Sequence, residues 1–236
     1  MFKSCVTFGI LFLILNVYSQ EIPLDLNKVV IQFPYDSLPT VSDIDGNTYS
    51  TVKIGNQVWM TRNLLTTRYR NRDLILSVTN NQAWTKLTIG AQCTYNNTIS
   101  KDTIDMLGRL YNFYAIADSR NIAPVGWHIA TDAEWAQLNS TIGKYVSVHL
   151  KYNGKIPWRL SNVPPMNDAK FFAFPSGYRS HINGKFSDLY TYGYWWCGTE
   201  FDAELAWGRG MYSGNSYVDR YADPKTTANS VRCVKD

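Results

Sequence analysis

Residues 126–135 read Gly-Trp-His-Ile-Ala-Thr-Asp-Ala-Glu-Trp, and this stretch decides more of the fold than any other part of the chain. Thr131 and Glu134 have the spacing of a capping box, in which each side chain accepts a hydrogen bond from the backbone amide of the other residue. Three apolar residues then recur at spacings of three and four, on one face of a helix: Trp135, Leu138 and Ile142. The stretch therefore predicts a short extended segment over 127–130 that leads into an amphipathic helix over 131–142.

A second helix is predicted before this stretch, over residues 105–118. Four apolar or aromatic residues recur there at helical spacing: Leu107, Leu110, Tyr111 and Tyr114. Pro124 and Gly126 separate the two helices. Residues 66–101 are polar and irregular, which predicts a long loop used for binding or inserted in this branch of a family.

Short strands are predicted on both sides of the helix pair. Residues 48–54 and 57–60 read as two strands joined by a tight turn at Gly55-Asn56, and Asn183-Gly184 is a strong hairpin signal in the second half. Six β-prone segments with turn signals between them fill that half: 171–175, 178–181, 190–198, 204–212, 216–220 and 231–234. Two helices followed by a β-rich half predict an α+β fold with short, mostly antiparallel strands.

The composition allows one sizeable core and argues against a nucleic-acid surface. Of the 236 residues, 45% are hydrophobic and 14% are aromatic. The formal net charge is +4, and acidic residues lie among the basic ones, as over 68–73 and 219–225. A nucleic-acid surface needs clustered Lys and Arg, so we expect no nucleic-acid partner.

The N-terminus has the pattern of a cleaved export signal. Lys3 precedes an apolar run over 5–17, and Ser19 lies near the expected cleavage position. The run is short for a bilayer span, so we expect no membrane span after cleavage. We therefore divide the chain into a signal peptide (1–19), a linker or edge segment (20–42) and one domain (43–236). The protein is expected to be exported, to the periplasm, the cell surface or the medium.

Export places the remaining cysteines in a compartment where disulfides persist. They are Cys93, Cys197 and Cys233, an odd number, so one disulfide and one free thiol is the simplest arrangement. The histidines lie far apart in the chain, and no Cys or His has the spacing of a zinc site. The sequence therefore predicts no metal site and no cofactor.

Aromatic residues are dense between residues 178 and 221 and predict a binding surface. Strand alternation implies that some rings point outward, where aromatic side chains stack on sugars or anchor protein interfaces. The alternative is that these rings fill the core. We expect the tryptophans to be mostly core and five tyrosines to be the candidate ligand-binding residues: Tyr190, Tyr192, Tyr194, Tyr212 and Tyr217.

A series of sequence blocks, taken in order, resembles one known family. The blocks are DGNTY at 45–49, IGNQVWM at 54–60, NL at 63–64, GRLYNFY at 108–114, GWHI at 126–129, DAEW at 132–135, PSGYR at 175–179, YWWCGTE at 194–200 and SVRCVKD at 230–236. Together they resemble the Fibrobacter succinogenes major paralogous domain over roughly residues 43–236, an exported family common in Bacteroidetes and Fibrobacteres. The resemblance implies a C-type-lectin-like fold, similar to that of formylglycine-generating enzymes.

The resemblance also bears on the disulfide. Cys93 and Cys233 match family cysteines, whereas Cys197 stands where the family usually has serine. The resemblance therefore implies a bridge between Cys93 and Cys233, with Cys197–Cys233 as the alternative.

Two functional hypotheses follow. The Glu-Pro-Asn or Gln-Pro-Asn and Trp-Asn-Asp motifs that hold calcium in C-type lectins do not occur, so calcium-dependent sugar binding is not expected. His128 lies near Asp132 and Glu134 and could serve in acid–base chemistry, but a packed histidine at a strand end is the simpler interpretation. We expect an exported, non-enzymatic binding or surface-interaction module for a polysaccharide or a protein. The alternative is an oxidoreductase of the formylglycine-generating type, which needs a pair of cysteines.

Overall fold

The computed structural model describes residues 38–154, 158–159 and 164–236. The predicted signal peptide lies outside the described residues, as does the predicted linker up to residue 37. The described residues belong to one compact unit, residues 32–236. No described helix is long and apolar enough to cross a membrane.

The described residues form an α+β fold. Its α-helices are α1 (Asn81–Trp84), α2 (Lys101–Leu107), α3 (Phe113–Ile116), α4 (Asp132–Ile142) and α5 (Val146–Leu150), with a 3₁₀ turn at Tyr95–Asn97. Its strands are β1 (Val41–Ser42), β2 (Thr48–Tyr49), β3 (Thr51–Ile54), β4 (Gln57–Met60), β5 (Leu76–Ser77), β6 (Ala91–Cys93), β7 (Leu110–Tyr111), β8 (Trp127–Ile129), β9 (Ser176–Arg179), β10 (Phe186–Leu189), β11 (Tyr192–Glu200), β12 (Leu205–Tyr212), β13 (Asp219–Pro224) and β14 (Cys233–Lys235). The strands form sheets in the orders β1-β2, β3-β4-β14-β8, β5-β6-β7 and β10-β9-β11-β12-β13.

The hairpin of β3 and β4 pairs with β14, the last strand. Strands β3 and β4 meet at the predicted Gly55-Asn56 turn, and β14 then pairs with β4 through Val234 and Trp59. The other edge of β14 pairs with β8, where Val234 lies opposite His128. The β3–β4 hairpin and β14 therefore hold each other in place.

Helix α4 confirms the capping box and the helix expected from it. Thr131 Oγ1 accepts from the Glu134 amide at 3.2 Å, and Glu134 Oε2 accepts from the Thr131 amide at 2.8 Å. Trp135 of α4 is fully buried. Its ring lies 5.1 Å from that of Trp59 and 6.0 Å from that of Trp195, measured between centroids. The capped helix thus joins the four-stranded sheet to the five-stranded sheet.

The helix predicted over 105–118 is wrong: the structure has α2, β7 and α3 there. Gly108 ends α2 with φ of 79°, and a Cβ at Gly108 would lie 2.4 Å from Cβ of Asn63. The Tyr111 amide then donates to the Asn229 carbonyl at 2.9 Å, and Asn112 caps α3 by accepting from the Ala115 amide. The residues that share a helical spacing therefore lie in three elements: Leu107 is the last residue of α2, Leu110 and Tyr111 form β7, and Tyr114 lies in α3.

Two more local expectations need correction. The loop predicted over 66–101 contains β5, α1, β6 and the 3₁₀ turn. Residues 171–175 form no strand, although Ala173 makes a single bridge to Lys151. Two carbonyls of this segment are instead bound by a buried guanidinium, that of Arg232, which replaces the partners a sheet would have given.

Arg232 is a polar anchor of the interior, with 0% of its surface exposed. Its guanidinium donates to Oδ1 of Asn63 at 2.8 Å and to the carbonyls of Met60 and Phe171 at 2.8 Å and Phe172 at 2.7 Å. Burial lowers the pKa of Arg232 to about 9, so the side chain still carries its charge at neutral pH. One buried cation therefore connects β4 to the segment before β9.

Candidate functional site

The five-stranded sheet has one face turned to the core and one face rich in tyrosine. On the core face, Trp195 and Met211 are fully buried, and Arg209 donates to Oδ1 of Asp132 on α4 at 2.7 Å. Strand alternation sends the intervening side chains to the opposite face. Five half-buried tyrosines, called the tyrosine face below, lie together there: Tyr178, Tyr192, Tyr194, Tyr212 and Tyr221.

The rings of the tyrosine face form one continuous series. Tyr192 lies opposite Tyr212 in the β11–β12 register, and their rings stack at 4.6 Å with 22° between planes. Tyr192 also stacks on Tyr194 at 5.2 Å and 9°. Tyr194 then meets Tyr178 at 73° and Tyr221 at 87°, both edge to face. The series therefore has a stacked part and a part in which the rings stand at right angles.

Two glycines of β12 make room for the ring of Tyr221. A Cβ at Gly208 would lie 2.6 Å from Cζ of Tyr221, which is closer than real Cβ atoms come. A Cβ at Gly210 would lie 3.4 Å from the same ring and 3.7 Å from the ring of Tyr194. One side of the Tyr221 ring thus rests on glycine backbone, and its hydroxyl donates to the Arg209 carbonyl at 3.4 Å.

The rings that stand at right angles line a small pocket of about 240 Å³. Its walls are Tyr178, Ser180, His181, Ile182, Tyr194, Tyr221 and Asp223. Nδ1 of His181 is 3.0 Å from Oγ1 of Thr227, and the Tyr194 hydroxyl donates to Oδ2 of Asp188 at 2.9 Å. A carboxylate and three aromatic rings therefore converge on one cavity.

The electrostatics of this face are set by carboxylates. Burial and the nearby Asp188 raise the pKa of Tyr194, so its hydroxyl stays protonated and serves as a donor. Burial also raises the pKa of Asp223, while Asn229 and His181 lower it by less. At the far edge, burial raises the pKa of Asp219, with Lys151 acting in the opposite direction.

Side chains alternate between the two faces of the sheet along β13, so its acidic and basic residues lie on opposite faces. Asp219, Tyr221 and Asp223 alternate with Arg220, whose guanidinium turns to the other side and donates to the Asp132 carboxylate at 2.9 Å. Arg209 and Arg220 therefore lie on the face of the sheet that packs against α4, whereas Asp219 and Asp223 lie on the tyrosine face.

The structure brings together three of the five predicted tyrosines, namely Tyr192, Tyr194 and Tyr212. Tyr190 lies in the turn between β10 and β11 with φ of 66°, and its ring contacts the guanidinium of Arg159 at 5.2 Å. Tyr217 lies in the loop between β12 and β13 and is 58% exposed. These two are separate from the series of contacting rings.

Tyr178, Tyr221 and Asp223 were not among the predicted site residues. For Tyr221 and Asp223 the signal was the period of two in β13, which places Asp219, Tyr221 and Asp223 on one face. That signal could be used only once β13 was known to neighbour β12, because the faces of two strands align only when their pairing is fixed.

The tryptophans are mostly core, as predicted. Trp195 and Trp196 are fully buried, and the Trp196 indole donates to the Tyr111 carbonyl at 2.8 Å. Trp207 is half-buried beneath the guanidinium of Arg220, which lies 3.3 Å from the ring centroid.

The structure gives the predicted Cys93–Cys233 disulfide no support, because Cys93, Cys197 and Cys233 are three free, buried thiols. They belong to three separate hydrophobic clusters. Burial raises the pKa of Cys93 and of Cys197 to about 12 and raises that of Cys233 as well. Protonated thiols of this kind are poor nucleophiles.

His128 is held between two carboxylates, at the strand end where the sequence placed it. Its Nε2 lies 2.8 Å from Oε1 of Glu134, and its Nδ1 lies 2.6 Å from Oδ1 of Asp236. Burial lowers the pKa of His128, but the hydrogen bonds to Asp236 and Glu134 outweigh it and raise that pKa above its ordinary value. The contacts join the start of α4 to the C-terminal residue of the chain.

Comparison with known proteins adds one match. The sequence model of the family described as the Fibrobacter succinogenes major domain matches residues 52–235. No curated protein and no solved structure matches the chain.

Proposed function

The chain belongs to the Fibrobacter succinogenes major domain family, and from that premise we propose that it is an exported, non-enzymatic binding module that holds its ligand on the tyrosine face. The ligand is a polysaccharide or a protein of a cell surface. The observation that carries the proposal is a continuous series of five contacting tyrosine rings on one face of the five-stranded sheet. Each of these side chains is half-buried.

The physical argument rests on what tyrosine does at a surface. A tyrosine ring offers a large, rigid contact area with few rotatable bonds, and its hydroxyl adds a hydrogen bond at the rim. Contiguous apolar patches that stay open to solvent mark ligand or partner sites, and each ring of the tyrosine face is partly exposed. Stacking fixes the Tyr192 and Tyr212 rings before binding, so little conformational entropy is lost when a ligand covers them.

We place the α+β fold in the C-type-lectin-like class. Support comes from the pairing of the β3–β4 hairpin with β14 and from the capped helix α4. The export signal predicted over residues 1–19 supports a location outside the cytoplasm.

The alternative of a formylglycine-generating oxidoreductase finds no favouring observation among the described residues. That chemistry needs two adjacent cysteines, and Cys197 and Cys233 pack in separate hydrophobic clusters.

The test is a binding screen of the chain from residue 20 onward, against a glycan array and against whole bacterial and host cells. We expect capture in one of the two formats, and loss of that capture in the variant Tyr192→Ser/Tyr212→Ser, which removes the stacked pair. The matched control is Tyr145→Ser, which removes a ring that is 66% exposed and lies outside the tyrosine face. Thermal melts of all three proteins establish that they are folded. Capture that survives loss of the stacked pair, or no capture in either format, would overturn the proposal.

A further inference from the structure

We propose that the pocket at the perpendicular end of the tyrosine face binds a primary alkylammonium group, the chemistry of a lysine side chain on a protein partner. The pocket combines three aromatic walls with the carboxylate of Asp223. This inference rests on the proposed function, since it names the ligand chemistry of the same face.

The carboxylate is the first step of the argument. Asp223 lies at the pocket wall and is half-buried, and in the described part of the chain it makes no ion pair with Lys or Arg. Its neighbours are Asn229, whose Nδ2 is 3.5 Å from Oδ2 of Asp223, Thr227, and His181, which lines the same pocket. A partly desolvated carboxylate gains most from a cation that can also donate hydrogen bonds.

The aromatic walls are the second step. Tyr194 stands nearly perpendicular to Tyr178 and to Tyr221, with ring centroids 5.2 Å and 5.8 Å away. Perpendicular rings present faces as well as edges to a shared cavity, and ammonium groups bind to ring faces through the ring quadrupole. The glycine backbone behind Tyr221 leaves the other side of that ring turned away from the sheet.

The charge around the pocket is the third step. Beside burial, Asp188 raises the pKa of both Tyr178 and Tyr194, and Asp223 also raises that of Tyr178. No lysine or arginine lines the pocket. Two arginines of β12 and β13, Arg209 and Arg220, are bound to Asp132 on the opposite face. With His181 neutral, Asp223 therefore makes the pocket negative, although the whole chain has a formal net charge of +4.

The hydrogen-bonding needs of Asp223 select among cations. A primary ammonium has three N–H donors and can satisfy the carboxylate while its methylenes lie along the rings. A quaternary ammonium offers no donor to the carboxylate. An anionic group would be repelled by it.

The test is a titration of the chain from residue 20 onward, followed by isothermal calorimetry and by amide chemical shifts. The probe is Nα-acetyl-lysine methylamide, and its neutral counterpart is the same compound with the side-chain amine acetylated. We expect the lysine derivative to bind and to shift amides of β9 and β13, and the acetylated compound to bind at least roughly tenfold more weakly, a difference of about 1.4 kcal/mol.

Three variants assign the effect to the pocket. Asp223→Asn keeps the shape and removes the charge, and it should weaken binding of the lysine derivative roughly tenfold. Asp202→Asn, in the exposed turn before β12, is the matched control and should leave binding unchanged. Tyr178→Phe keeps the ring and should bind, whereas Tyr178→Leu should bind more weakly.

The outcomes separate this inference from the proposed function. Equal binding of the lysine derivative and its acetylated form, or no effect of Asp223→Asn, overturns the lysine assignment. Tighter binding of choline than of the lysine derivative overturns it in favour of a quaternary ammonium. If glycans or cells are captured through Tyr192 and Tyr212 while the lysine derivative does not bind, the proposed function stands and this inference fails. Binding of the lysine derivative without capture in either format contradicts only the proposed function.

Discussion

Replacing the buried guanidinium of Arg232 by an apolar side chain should bring the fold close to unfolding. Arg232→Met keeps a similar length but removes four hydrogen bonds, those to Asn63, Met60, Phe171 and Phe172. A buried acceptor left without a donor costs roughly 1–3 kcal/mol. Asn63 Oδ1 keeps a donor in the Trp195 indole, so only the three carbonyls lose theirs. Methionine also removes a charge whose burial is unfavourable, so we take the lower end, about 1 kcal/mol for each carbonyl and about 3 kcal/mol in total.

This loss is large beside the whole stability of a typical domain, which is about 5–15 kcal/mol. For a domain of this size, 1 kcal/mol corresponds to about 2–4 °C in Tm, so Arg232→Met should lower Tm by roughly 6–12 °C. Differential scanning calorimetry and urea unfolding measure the effect independently.

Two further variants test the cause. Arg232→Lys keeps the charge and three donors, and it should fall between the wild type and Arg232→Met. Arg72→Met changes an exposed arginine in the same way and should leave Tm within about 1 °C. A decrease below about 3 °C for Arg232→Met would refute the role of Arg232 as the anchor of these carbonyls.

Four other outcomes are expected. Thr131→Ala should lower the free energy of unfolding by about 1 kcal/mol through the lost cap, and an unchanged melt would mean that the cap does not stabilise α4. A double-mutant cycle on Tyr192 and Tyr212 should give a coupling of about 1 kcal/mol for the stacked rings, measured by urea unfolding, and a coupling of zero would contradict the stacking. His128 has a raised pKa in the fold, so its protonated form stabilises the fold below a pH of about 6.5, and this contribution disappears as the pH rises through the folded-state pKa. The stability that His128→Gln loses should therefore be larger at a pH of about 5.5 than at about 8.5, and a loss independent of pH would count against the contact with Asp236. Finally, a thiol reagent should label none of the three cysteines in the native chain from residue 20 onward and all three after denaturation without reductant. Labelling of a single cysteine in the denatured chain would mean that the other two form a disulfide.

Interactions between residues close in sequence were predictable without the tertiary structure. The capping box of α4 involves residues three apart, and the turns at Gly55-Asn56 and Asn183-Gly184 depend on backbone conformations that glycine adopts without strain, such as φ of 67° at Gly184. The family, too, could be identified from sequence blocks, and the family match over residues 52–235 confirms it. In each case the deciding contact or motif lies within a few residues.

The candidate site depends on contacts that the sequence does not contain. Alternation predicted outward tyrosines in single strands, and in the structure Tyr192, Tyr194 and Tyr212 lie on one face of the sheet. It could not select Tyr178 or Tyr221, because those rings join the series only through the order and register of the strands.

Tertiary contacts also overruled local patterns. The spacing of apolar residues over 105–118 fits a helix, but the strand β7 forms there because its backbone finds partners in β6 and at Asn229. The Phe171 and Phe172 carbonyls accept hydrogen bonds from Arg232, about 60 residues later in the chain, and not from a neighbouring strand. Local propensity amounts to tenths of a kcal/mol per residue, whereas a buried donor or acceptor without a partner costs about 1–3 kcal/mol, so the long-range partner determines the conformation.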